Sequence, residues 1–88
     1  MTYLLIRHRV ADFAQWKAAY DAHASARAAA GLKDTEILRD LHDGNQVVLL
    51  FEVSDIQKAK EYSESASLRD AMRDAGVADQ PDLYFLQR

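Results

Sequence analysis

His8 stands between Arg7 and Arg9 at the polar end of an apolar run that begins at Leu4. An imidazole changes charge close to neutral pH, so a histidine facing an apolar surface is suited to take a proton from an acidic carbon or a phenol. Downstream, Trp16, Tyr20, His23 and Arg27 recur at three- and four-residue steps, the spacing that shares one face of a helix. His23 is the natural second member of a pair with His8. Trp16 and Tyr20 offer flat rings for stacking, and Arg27 offers a planar fork for an anionic group. Tyr62 lies in the polar, serine-rich stretch 62–67, where a helix break would expose backbone groups and open a gap to solvent. The expected site therefore has His8, Tyr62 and His23 as catalytic groups, with Trp16, Tyr20 and Arg27 binding the substrate.

Each of these residues also has a plainer reading. His8 can be a core histidine bonded to a neighbour, and His23 the edge of an amphipathic stripe. Arg27 can pair with a carboxylate or reach past the sheet edge to water, and Trp16 and Tyr20 can be core aromatics first. Other chemistries lack their residues. The three histidines, His8, His23 and His42, fall on three different elements, and there is no cysteine, so no metal site is expected. No glycine-rich phosphate loop, nucleophile elbow or dinucleotide fingerprint occurs, and no cofactor is expected.

The elements that must position these side chains follow from the breakers. Residues 3–10 are rich in β-formers and read as a first strand, and Asp12 supplies an acceptor for the amides of a helix start. That helix carries Phe13, Trp16, Tyr20, His23, Ala24 and Arg27 on one face and closes at Gly31. A half-exposed second strand is expected near 33–42. Asp43-Gly44 then reads as a tight hairpin turn in which glycine takes positive φ, leading into the apolar run QVVLLFEV. Asp55 caps a second helix near 56–75, interrupted in its serine-rich middle and recapped by Ser65. Gly76 ends it, and Pro81 precedes a short last strand at 83–87.

The order β-α-β-β-α-β is the ferredoxin-like plan: an α+β fold with a four-stranded antiparallel sheet and two helices on one face. The spatial order four, one, three, two makes the two most apolar strands central. His8 shares strand parity with Leu4, Ile6 and Val10, and this set is placed toward the helices because Val10 leads straight into the Phe13/Trp16 face. Strand three is apolar on both faces, with Val47, Leu49, Phe51 and Val53 on one and Val48 and Leu50 on the other. Two helices cover only one of them. A second copy packed sheet to sheet is the economical cover for the other, so a homodimer is expected.

Composition narrows the partners. The 88 residues make a single domain, 1–88, which is marginal alone without a partner or staple. With 11 Lys and Arg against 14 Asp and Glu, the net charge of −3 has the wrong sign for binding phosphates, and no nucleic-acid partner is expected. No apolar segment is long enough to span a bilayer, so no membrane partner is expected either. The absence of a leader and of cysteine leads to an expected cytoplasmic location.

The layout, the apolar third strand, the Phe13/Trp16/Tyr20 face, the segment RHRVADFAQW and the closing Pro81-Asp82-Leu83-Tyr84-Phe85 together resemble the dimeric α+β barrel superfamily. Within it, the chain is most similar to the branch described as antibiotic-biosynthesis-monooxygenase-like or cyclase-like. The resemblance implies a homodimer whose sheets form a barrel and a pocket between helices and sheet in each protomer. It also implies diverse chemistry, including cofactor-free oxygenation of polyketide-like aromatics, aldol-type cyclisation, lactone isomerisation and haem breakdown. Two functions stay open. One is a cofactor-independent monooxygenase, cyclase or isomerase acting on a small hydrophobic or aromatic ligand. The other is a non-catalytic dimeric module that binds such a ligand or a partner protein through the same pocket.

Overall fold

Alternation along β1 (Thr2–Arg9) decides where everything else packs. Leu4, Ile6 and His8 are buried on one side, and Val10 continues the set just past the strand. The computed structural model describes residues 1–88, the side chain of Ser67 excepted. In chain order, β1 is followed by α1 (Phe13–Ala22), α2 (Ala24–Ala29), β2 (Leu32–Arg39), β3 (Gln46–Val53), α3 (Ile56–Ser63), α4 (Ala66–Asp74) and β4 (Asp82–Gln87). The strands form one antiparallel sheet in the order β2-β3-β1-β4, with the two most apolar strands central as expected. Leu4 lies opposite Phe51 on one side and Phe85 on the other, and Ile6 opposite Leu49 and Leu83. These residues form the inward face and pack with Trp16 and Tyr20 of α1 and with Ala59 of α3 in one core. No helix is long and apolar enough to cross a membrane.

Helix starts follow the capping residues. Asp12 accepts from the Ala14 amide at 3.2 Å, Asp55 from Lys58 at 3.1 Å, and the Ser65 hydroxyl from Leu68 at 3.1 Å. Ser65 also donates to the Tyr62 carbonyl at 2.7 Å, so the expected break in the second helix is present and recapped as expected. The first helix differs from its expected form, because it too is broken, at His23. The Tyr20 carbonyl there accepts from the His23 amide at 3.1 Å and from Nη1 of Arg27 at 2.6 Å. A side chain thus occupies an acceptor that a continuous helix would give to the backbone amide four residues on.

The Asp43-Gly44 turn is corrected. Strand β2 ends at Arg39, and residues 40–45 form a wider loop, because the Asp40 carboxylate captures the amides of His42 and Asp43, each at 2.9 Å. Gly44 does not take positive φ; only Gly31 and Gly76 do. A Cβ at 44 would lie 2.6 Å from Nη2 of Arg39, whose Nε donates to the Gly44 carbonyl, so a side chain there would make the exposed arginine head shift. A second irregularity matters more. The register of β2 against β3 shifts between Asp34 and Glu36, so that Asp34 opposes Phe51 and Ile37 opposes Leu49, both on the inward face.

The outward face of the sheet carries Leu5, Val48 and Leu50, half-buried, beside Leu38, Tyr84 and Leu86, which are exposed. Leu5 lies between Leu50 and Tyr84 across the two ladders, so these side chains adjoin one another.

Candidate active site between sheet and helices

A cavity of about 60 Å3 lies between the inward face of the sheet and the helices. Leu4, Ile6, Leu49, Phe51 and Leu83 make its sheet wall, and Leu68, Ala71, Met72 and Ala75 its opposite wall. All six residues singled out in the sequence line it: His8, Trp16, Tyr20, His23, Arg27 and Tyr62.

His8 is held by its neighbours' backbone. It opposes Val47 in β3, and Arg9 next to it is clamped by the segment after α4, with its carbonyl accepting from Ala78 at 2.7 Å and its amide donating to Asp79 Oδ1 at 2.8 Å. The imidazole is 2% exposed, and its edge-to-face partner is Trp16, with ring centroids 5.4 Å apart. Among the described residues neither Nδ1 nor Nε2 has a hydrogen-bond partner. The reading of His8 as a core histidine bonded to a neighbour therefore has no bond behind it. Two unpartnered ring nitrogens beside an apolar cavity are costly for folding, and such groups in native proteins call for a specific explanation.

Burial pushes the His8 pKa below the ordinary histidine value, with Asp79 working against this and Arg7 adding to it. The unfolded chain, titrating near 6.5, then binds protons first as pH falls, so stability is complete above that value and declines below it toward the folded-state pKa. His8→Phe should remove this component. The melting-temperature difference between His8→Phe and the wild type should therefore widen in favour of the variant from about pH 7.5 to about pH 5. A constant difference would show that His8 does not titrate differently on folding.

Trp16 and Tyr20 stack with centroids 4.9 Å apart, and Arg27 lies over the other face of Tyr20 at 3.5 Å. Arg27 is 6% exposed. It reaches the cavity wall as expected, but its guanidinium is engaged by the protein: Nε and Nη2 donate to Asp34 Oδ1 and Oδ2 at 3.2 and 3.3 Å, and Nη1 to the Tyr20 carbonyl. The Tyr20 hydroxyl donates to Asp34 Oδ1 at 2.9 Å, and burial together with this carboxylate holds the phenol well above its ordinary pKa. Tyr62, half-buried, is raised by burial, with Arg27 opposing. His23 is exposed and sits at the break between α1 and α2. The two helix breaks thus both contribute to the cavity wall, His23 from one and Tyr62 with Ser63 from the other. Sequence reasoning missed Asp34, whose signal was an acidic residue inside a strand, and the α4 wall of Leu68 and Met72, whose signal was their apolar spacing four residues apart. Among the described residues no group of three potential ligands could hold a metal ion.

No protein-family model and no curated protein sequence matches the chain. Solved structures do match. A protein of Bordetella bronchiseptica provisionally named an antibiotic biosynthesis monooxygenase is similar over 99% of this chain and 95% of its own, with a TM-score of 0.79 and 13% identity. SnoaB of Streptomyces nogalater, described as a cofactor-independent oxygenase, is similar over 99% and 93%, with a TM-score of 0.71 and 15% identity. The chain shares the ferredoxin-like α+β fold of these structures. A protein of Nitrosomonas europaea with the same provisional name as the Bordetella protein shares this fold at a TM-score of 0.64 and 19% identity, over 100% and 98% of the two chains. At such identities the similarity concerns the backbone plan, and the residues of the cavity stand on their own geometry.

Proposed function

We propose that the protein is a cofactor-independent enzyme of monooxygenase, cyclase or isomerase type, acting on a compact hydrophobic or aromatic substrate in the cavity beside His8. The observation that carries this reading is the pair of unpartnered His8 nitrogens on an apolar cavity wall. The neutral imidazole accepts a proton from an acidic carbon or phenol of the substrate, and all three reaction types can start from the anion that remains. Trp16 holds the imidazole edge, and Tyr62 and His23, at the helix breaks, orient the substrate's oxygens. The names of the similar structures point the same way, SnoaB being described as a cofactor-independent oxygenase.

The cavity is smaller than the roughly 150 Å3 that accommodates a benzene in an engineered protein core, so a ring enters only if a wall moves. Helix α4 is the wall suited to this. None of its described residues is buried, and it lies between the break at Glu64 and the positive-φ Gly76.

The test uses His8→Phe, which keeps an aromatic edge against Trp16 and removes both unpartnered nitrogens. The variant should be as stable as the wild type or up to about 2 kcal/mol more stable. It should lose both the melting-temperature rise given by phenol, resorcinol or acetophenone and any turnover of them. A destabilised variant with an unchanged ligand response would refute the site. Ligand response without turnover across a broader panel would leave a binding module.

The same reading includes a homodimer packed through Leu5, Val48, Leu50, Tyr84 and Leu86, which form an apolar outward face that the chain itself leaves uncovered. Sedimentation equilibrium at micromolar concentration should give twice the 9.9 kDa chain mass. A folded species of single-chain mass would refute this assembly.

A further inference from the structure

Among the described residues the one formal charge on the cavity wall belongs to Arg27, and the carboxylate that compensates it, Asp34, lies outside the cavity. Arg27 uses all three of its nitrogens and one flat face on Asp34, the Tyr20 carbonyl and the Tyr20 ring. Asp34 stands on the edge strand β2 with its side chain 48% exposed; it shares the inward parity of Leu32, and the register shift immediately after it brings Ile37 inward as well. Without that shift the parity of Leu32 and Asp34 would carry on to Glu36, and Ile37 would face outward. The other titratable side chains on the wall, His8, His23, Tyr20 and Tyr62, carry no formal charge in their neutral forms. An anion entering this cavity meets no uncommitted cation, and a buried carboxylate without a partner is strongly disfavoured. A neutral imidazole, in contrast, has one donor and one acceptor to offer.

We infer that Asp34 is a specificity-determining residue that keeps Arg27 from the ligand, so that the cavity selects neutral, hydrogen-bonding aromatics such as amides, phenols and enols and rejects carboxylates of the same shape. This rests on the cavity being the ligand site. Asp34→Asn keeps the size of the side chain and an acceptor for the Tyr20 hydroxyl while removing the charge that holds the guanidinium. Arg27 is then free to receive an anion. Removing the cation as well, in Arg27→Gln with Asp34→Asn, returns the pair of positions to zero net charge.

Benzamide and benzoate, alike in size and differing in charge, are the probes, with dissociation constants measured by titration calorimetry or by NMR at about pH 8, above the ordinary histidine range. The wild type should prefer benzamide by roughly tenfold or more, Asp34→Asn should erase or invert that preference, and the double variant should restore it. Equal binding of the two probes by the wild type, or an unchanged ratio in folded Asp34→Asn, would overturn the assignment of Asp34 while leaving the cavity as the site. Failure of the wild type to bind either probe would overturn both this inference and the site on which it rests. Should Asp34→Asn not fold, the double variant decides: a benzamide preference within about threefold of the wild type supports the inference, and a larger change in either direction overturns it.

Discussion

Trp16→Ala should lower the unfolding free energy by about 3–5 kcal/mol, the range for removing a large buried aromatic from a core. Trp16 is 2% exposed and touches three other rings: Phe13 at 5.7 Å, Tyr20 at 4.9 Å and the imidazole of His8 at 5.4 Å between centroids. It joins α1 to the inward face of β1, so its loss opens a void between helix and sheet that neighbouring side chains cannot fill without moving the helix. Urea unfolding of the wild type and the variant at equal protein concentration measures the difference, with Leu41→Ala as a control at a loop position 92% exposed. The control should change by no more than about 0.5 kcal/mol. A Trp16→Ala cost under about 1 kcal/mol would mean that the aromatic column does not hold α1 to the sheet.

Arg27→Ala is expected to cost about 2–4 kcal/mol, with Arg27→Lys recovering less than half of it. Asp34 is half-exposed, so solvent screens much of the ion-pair attraction and the charge pairing alone does not account for the loss. The greater part comes from the packed stem and from the planar group. The guanidinium lies on the Tyr20 ring and satisfies the Tyr20 carbonyl, which a truncated side chain leaves without that donor. Lysine keeps the charge but has no planar fork with which to contact Asp34, the carbonyl and the ring together. Thermal and urea unfolding of both variants give the comparison. Full recovery by Arg27→Lys would show that charge alone matters, and a cost for Arg27→Ala under about 0.5 kcal/mol would mean that the cluster behaves as an ordinary surface pair.

Much of the cavity wall was legible in one dimension, because short-range periodicity decides which side chains share a face. Period-two alternation put His8 with Leu4, Ile6 and Val10, and helical spacing put Trp16, Tyr20 and Arg27 together, so the joining of strand to helix at Asp12 brought the two sets to one cavity. The serine-rich break at Ser65 was legible for the same reason: a capping hydroxyl acts on amides within its own turn. The order of the strands followed from the β-α-β-β-α-β plan with right-handed crossovers, which puts the two most apolar runs at the centre.

Other features depend on contacts between residues that no periodic pattern links. The break at His23 exists because Arg27, a full turn beyond it, folds back onto the Tyr20 carbonyl. Asp34 and Ile37 face inward together only because the β2–β3 register slips between them, and a slip is decided by the pairing of two strands. At Gly44 the sequence had suggested a positive-φ turn, and instead the head of Arg39 lies against it across the loop. That both His8 nitrogens lack partners is likewise a property of the assembled surroundings, since a strand pattern says which way a side chain points and nothing of what waits there. Sequence by itself determined the elements, their order and the inward set of residues, through propensity and period. Tertiary structure alone decided the depth and size of the cavity and which of its polar groups are already engaged, because both are set by the close packing of side chains from distant parts of the chain.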